Sequence, residues 1–144
     1  MKVLFTPLGL AYGTLYSAVL LTRPQRVVVV TSREAASNLH AALEAARFYH
    51  GSFEFEAHIL DDPMAGFDES RQLARFLAAS AGDNNLINLS GGTLVLQDCA
   101  RSIADALRRA GKCAREIAVV DRRTPDEQRR VPLVVGELVE VPLL

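Results

Sequence analysis

The sequence predicts an α/β fold: a mostly parallel sheet with helices on both of its faces. Two observations carry that reading. Short apolar runs alternate along the chain with longer segments of helical periodicity. Two of those runs, Val27 to Val30 and Ile117 to Val120, are continuously apolar rather than alternating, as strands covered on both faces must be.

The elements follow in order. Val3 to Phe5 is the first strand, turning at Thr6-Pro7, and Thr14 to Leu21 is a short helix that Pro24 stops. Val27 to Val30 is the second strand. Ser32 stands where it can cap the next helix and Glu34 complements its dipole, while Ala36, Leu39, Leu43 and Ala46 repeat at three-and-four spacing. Phe53 to Ile59 is the third strand, followed by an Asp61-Asp62 turn before Pro63 and a helix from about Asp68 to Ser80. Leu86 to Leu89 is the fourth strand. Leu96, Cys99, Ile103, Ala106 and Ala110 form the stripe of the fourth helix, which Gly111 is placed to end. Ile117 to Val120 is the fifth strand, the polar stretch 121–130 reads as a solvated excursion, and Leu138 to Val141 adds an edge strand or hairpin. Strand and helix alternating in this way imply right-handed crossovers and a doubly wound, Rossmann-like sheet.

Composition narrows the function classes. A chain of 144 residues with 49% apolar content suits a single domain spanning 1–144. Sixteen basic against seventeen acidic residues give a net charge of −1, so no global field draws it to duplex nucleic acid or membrane. Any anion site must be local. Cys99 and Cys113 form no CxxC pair, and the amino-terminal apolar run is too short for a signal peptide or a span, so cytoplasmic residence is expected. His40, His50 and His58 lack ligand spacing, which argues against a metal; no cofactor is expected. The double glycine belongs to neither a GxGxxG motif nor a P-loop, and the second strand ends without an acidic ribose ligand, so dinucleotide binding and ATP hydrolysis lose weight.

Ligands of open parallel sheets bind beyond the carboxyl ends of the strands, at the point where strand order reverses. Two loops qualify: Thr6-Pro7-Leu8-Gly9-Leu10-Ala11-Tyr12-Gly13 after strand 1 and Asn88-Leu89-Ser90-Gly91-Gly92-Thr93 after strand 4. In common doubly wound orders these strands are neighbours, which would bring the two loops to one crevice. Gly91 and Gly92 let backbone amides approach a phosphate, Ser90 and Thr93 add hydroxyls, and the helix dipole adds attraction. The bland alternative is a tight strand-to-helix turn with Thr93 as the cap. From the first loop Tyr12 is the better stacking candidate, since Tyr16 suits a core position. Thr31, Ser32 and Arg33 follow strand 2 on the same side, and Arg33 stands against the helix dipole, where a phosphate partner would explain it. Arg122 and Arg123 read more simply as part of an exposed charged loop.

The Thr6-to-Gly13 loop paired with Asn88-Leu89-Ser90-Gly91-Gly92-Thr93 resembles the CRISPR-associated Rossmann fold (CARF) family, and strand 2 running into Thr31-Ser32 fits it. The resemblance implies a homodimer that binds a cyclic oligoadenylate, tetra- or hexa-adenylate, across its axis. A single CARF-like domain without room for an effector is similar to the ring nucleases, which switch off type III CRISPR antiviral signalling. That implies metal-independent cleavage to linear products by attack of a ribose 2′-hydroxyl. Ser90, Gly91, Gly92 and Thr93 would then hold phosphate or ribose oxygens, Thr6, Gly9, Tyr12 and Gly13 would contribute from the opposite loop, and Arg33 would stabilise charge with Ser90 and Thr93 in the catalytic set. One position departs from the pattern: Leu94 stands where many members carry lysine. It shares a helix face with Gln97, Asp98 and Arg101, which suggests a dimer seam or the floor of an adenine pocket. A binding-only sensor acting through a separate partner, and an unrelated small α/β protein binding another nucleotide or phosphate, are the competing readings.

Overall fold

The computed structural model describes residues 1–143. The elements in chain order are β1 (Lys2–Leu8), α1 (Gly13–Thr22), β2 (Arg26–Ser32), a 3-10 turn (Ala35–Asn38) running into α2 (Leu39–His50), β3 (Glu54–Leu60), α3 (Phe67–Ala78), β4 (Asn84–Asn88), α4 (Leu94–Arg109), β5 (Arg115–Val120), α5 (Pro125–Arg130) and β6 (Glu137–Val141). The six strands form one sheet in the order β3-β2-β1-β4-β5-β6. The first five pair in parallel and β6 runs antiparallel to β5. The fold is therefore the doubly wound α/β sheet with a C-terminal edge strand that the sequence predicts.

The continuous apolar strands are explained by two cores, one on each face of the sheet. Val3, Phe5, Val28 and Val30 pack with α3 and α4, while Leu4, Val27, Val29 and Ile117 pack with α1 and α2. Neighbouring residues of one strand thus point to opposite cores. The helix ends follow local chemistry. Arg23 takes a left-handed conformation at the end of α1 before Pro24. At the end of α4 the Lys112 amide reaches back to the Leu107 carbonyl at 2.9 Å around Gly111, whose φ is +75°. Cys99 lies fully buried on α4 against Ser70, and burial pushes its thiol up to about 11, so it is a packing residue rather than a nucleophile.

Three expectations need correction. Strand β1 does not turn at Thr6-Pro7 but continues to Leu8, because Thr6, Pro7 and Leu8 pair in register with Val29, Val30 and Thr31. Ser32 does accept from the Ala35 amide at 3.1 Å, yet what it caps is a 3-10 turn, and α2 begins only at Leu39. The stretch 121–130 is not all excursion. It contains α5, which starts at Pro125 and is capped by Thr124, whose hydroxyl accepts from the Glu127 amide at 3.2 Å. No helix among the described residues is long and apolar enough to cross a membrane.

The chain winds outward from β1 to β3 on one side and then restarts beside β1 at β4. That junction is the switch point. The loops leaving β1 and β4 must diverge there, which opens a crevice at the carboxyl ends of the strands.

Candidate functional site

The β4 turn is built from its own polar side chains. Asn88, fully buried, donates from Nδ2 to Thr6 Oγ1 at 3.0 Å and accepts the Ser90 amide on Oδ1 at 3.0 Å. It ties the end of β4 to β1 and starts the turn at once. Gly91 and Gly92 have φ of +90° and +79°, a left-handed region that disfavours any residue with a Cβ. Thr93 then caps α4, accepting from the Leu96 amide at 3.3 Å while its hydroxyl donates to the Pro63 carbonyl at 2.5 Å. Ser90 Oγ accepts from the Val119 amide at 2.6 Å. Both hydroxyls are thus held by the protein. What the turn presents outward is backbone, at the positive end of a sixteen-residue helix with no acid in its first turn.

The β1 loop meets this turn directly. A Cβ on Gly9 would lie 2.6 Å from the Gly92 nitrogen, so glycine at position 9 is what lets the two loops touch. Thr6 and Thr31 are buried inside strands. The Thr6 hydroxyl donates to the Pro7 carbonyl at 3.0 Å and that of Thr31 to the Leu8 carbonyl at 2.7 Å. Thr6 and Thr31 hold the loops in place rather than face a ligand, and Ser32 accepts the Ala35 amide from the wall of the switch-point crevice. Arg33 is exposed and has no ion-pair partner among the described residues.

Gly9, Arg33, Glu34, Asp61, Gly92 and Thr93 line a crevice of about 780 Å³ at the switch point. Its charge is mixed: one guanidinium faces two carboxylates. Leu10 and Met64 are among its wall residues, and Leu94 follows Thr93; the three are 67%, 74% and 71% exposed. Leu10 and Met64 thus give the crevice an exposed apolar wall.

Tyr12 and Gly13 do not line this crevice. They lie with Thr14 on a second cavity, of about 370 Å³, whose far wall comes from α5 and Pro132. Gly13 has a reason of its own, because a Cβ there would lie 2.5 Å from the Pro132 carbonyl oxygen. Tyr16 is buried, and burial first, then the charge of Tyr49, raises its hydroxyl above the ordinary range; it is a core residue. Arg122 pairs with Glu137 at 2.6 Å, and Arg123 pairs with Asp121 through two nitrogens at 2.9 and 3.1 Å. Neither is free for phosphate. The hydrogen bond from Arg123 holds the Asp121 carboxyl below its ordinary value despite opposing desolvation.

Sequence reasoning missed Thr14. Its hydroxyl oxygen is buried with no hydrogen-bond partner among the described residues, and it would stand 2.9 Å from a Cβ placed on Gly91. The signal was a hydroxyl residue two positions after Tyr12, in the first turn of a helix whose cap position makes no side-chain bond.

No protein-family model and no curated protein sequence matches the chain. Among solved structures, it is similar to Can2 from Sulfobacillus thermosulfidooxidans in complex with cyclic tetra-adenylate, with a TM-score of 0.66 and 15% identity. The two chains share a fold. The likeness covers 83% of this chain but only 32% of that one, so the chain spans about a third of its length. At this identity the comparison speaks to the sheet and its windings and leaves the chemistry to the residues.

Proposed function

We propose that the protein binds a cyclic oligoadenylate as a homodimer and opens the ring by attack of a ribose 2′-hydroxyl on its own phosphodiester. The observation that carries this reading is the contact of Gly9 with Gly92, which puts the double-glycine turn, the start of α4 and Arg33 around one crevice. The fold likeness to a protein solved with cyclic tetra-adenylate supports the ligand class. Charge supports it too. One unpaired guanidinium beside Glu34 and Asp61 would hold a triphosphate poorly, but it suits a ligand with one charge per phosphodiester. The amines and ribose hydroxyls of that ligand can donate to the carboxylates. The apolar wall of Leu10 and Met64 is where a second copy would close over the ring.

In the reaction the 2′-oxygen bonds to phosphorus as the bond from phosphorus to the neighbouring 5′-oxygen breaks, leaving a 2′,3′-cyclic phosphate. The 2′-hydroxyl proton goes to solvent and the departing oxygen takes one back. The backbone of Gly91 and Gly92 and the α4 dipole face the non-bridging oxygens, with Arg33 as the one mobile cation, so the protein supplies position and anion stabilisation. Ser90 and Thr93 act through the turn they hold.

One observation favours a binding-only sensor as the second reading: the Ser90 and Thr93 hydroxyls are already engaged and Leu94 carries no charge, so the turn offers no proton-transfer group. Incubation with cyclic tetra- and hexa-adenylate in chelator, read by mass spectrometry and calorimetry, decides between them. Linear adenylates ending in a 2′,3′-cyclic phosphate support cleavage, and tight binding of an intact ring selects the sensor. If neither ring binds, both readings fail. Arg33→Ala should weaken binding or turnover about tenfold, the effect of one charge-assisted hydrogen bond.

A further inference from the structure

A groove of about 880 Å³ runs between the exposed faces of α3 and α4. It shares no residue with the crevice at the switch point, which takes Leu96 from α4, whereas the groove begins at Asp98 and runs on to Lys112. Five of the chain's sixteen basic residues line it against two of the seventeen acids. In a chain of net charge −1, this is where positive charge gathers.

Most of that charge is unspent. Arg71 neutralises Asp98, from Nε at 3.1 Å. Arg75, Arg101, Arg109 and Lys112 have no ion-pair partner among the described residues, and neither has Asp105. The helix dipole accounts for Arg75 and Arg109, each in the last turn of its helix. Arg101 stands in mid-helix, where no dipole explains it. Asp105 lies four residues from both Arg101 and Arg109, a spacing at which helix pairs form, yet it joins neither. Three unpaired charges, positive, negative and positive, thus follow one another along α4 at steps of about 6 Å. The floor beside them is low, because Ala78 is buried and Ser102 and Ala106 are half-buried.

The alternation of sign selects the occupant. A nucleic-acid strand carries uniform negative charge and would set a phosphate against Asp105, and among the described residues the groove has no aromatic side chain on which a base could stack. An α-helix advances at the same rate as α4, so acid, base and acid at four-residue steps meet Arg101, Asp105 and Arg109 together. Arg75 on the α3 bank and Lys112 at the end add attraction at the acidic positions. We propose that this groove docks a helix of a partner protein that carries acidic, basic and acidic side chains at four-residue steps, with small apolar residues on the alanine floor. The docking site stands whether or not the crevice binds a cyclic oligoadenylate.

Amide NMR titration of the full chain with an alanine-based helical peptide bearing glutamate, lysine and glutamate at those steps tests the site. Saturable shifts at Ser102, Asp105 and Arg109 are expected, with the peptide of opposite signs at least tenfold weaker. Arg101→Glu should weaken the first peptide about tenfold, since it sets like charges together. A peptide with three glutamates should bind wild type more weakly than the first, and Asp105→Lys should reverse that order. If wild type instead prefers three glutamates, the groove gathers anions without reading their pattern and the proposal falls. It falls also if the first peptide causes no shifts, or if single-stranded oligouridylate binds the groove more tightly than the peptide. Sedimentation of the chain alone completes the test: a wild-type dimer that Arg101→Glu dissociates would make a second copy the occupant and overturn the partner helix.

Discussion

The two loops that meet at the switch point are held in opposite ways. Every polar side chain of the β4 turn is engaged: Asn88 with Thr6 and Ser90, Ser90 with Val119, Thr93 with Pro63 and Leu96. Past Leu8, the loop leaving β1 receives one side-chain bond among the described residues, from Asn38 to the Leu10 carbonyl at 3.3 Å, and runs into a helix whose Thr14 hydroxyl has no partner. One wall is finished before any ligand arrives, and the other keeps a polar group unpaired. In such a pair the first wall supplies fixed backbone donors, while the second is placed by close backbone approach, Gly9 on Gly92 and Gly13 on Pro132, rather than by side-chain bonds.

The strongest way to break this contrast is Gly92→Val. It forces a β-branched residue to φ +79° with the Leu96 side chain 2.9 Å from the new Cβ. A loss of about 3 kcal/mol in urea unfolding is expected, and an unchanged midpoint would mean the turn is not the fixed wall described. Next comes Asn88→Ala, which leaves the Ser90 amide without its acceptor and Thr6 without its donor. About 2 kcal/mol should be lost, with the crevice weakened for ligand.

A sharper comparison pairs Ser90→Ala with Thr14→Val. Removing the Ser90 hydroxyl strands the Val119 amide and should cost about 1 kcal/mol. Replacing the partnerless Thr14 hydroxyl by a methyl should leave stability within about 0.5 kcal/mol of wild type. Equal stability losses in the two variants would erase the distinction.

The smallest effect is electrostatic. Asp121 titrates below its ordinary 3.8 because Arg123 hydrogen-bonds to it. A depressed folded value means that the pair's stabilisation is complete above 3.8 and lost as pH falls through the lower folded value. Amide shifts of Arg123 and Gln128 should therefore move together in acid, below 3.8, while those of Ser90 and Gly91, held by neutral groups, stay. Asp121→Asn should abolish the movement at Gln128.

Much of this was readable from residues. The apolar runs at 27–30 and 117–120 announced a sheet covered on both faces, and the two-core packing of Val27 to Val30 is the reason. The double glycine before a helical stripe announced a tight turn into α4, and Gly91 and Gly92 take positive φ there. What could not be read was the side each residue faces once the loops close. Tyr12 and Gly13 sit only a few positions after Gly9, yet they line a different cavity, because the loop passes over the end of β1 toward α5, a helix the sequence disguised as a charged excursion.

Local spacing therefore determined the sheet, its helices and the double-glycine turn, since backbone conformation and burial pattern depend on residues a few positions apart. Only the tertiary structure decided which hydroxyls are free. Thr6 and Ser90 meet partners 82 and 29 residues away, Asn88 and Val119, and are occupied; Thr14 meets none among the described residues. A hydrogen bond is settled by distance in space, and that distance exists only once the sheet has brought β1, β4 and β5 side by side.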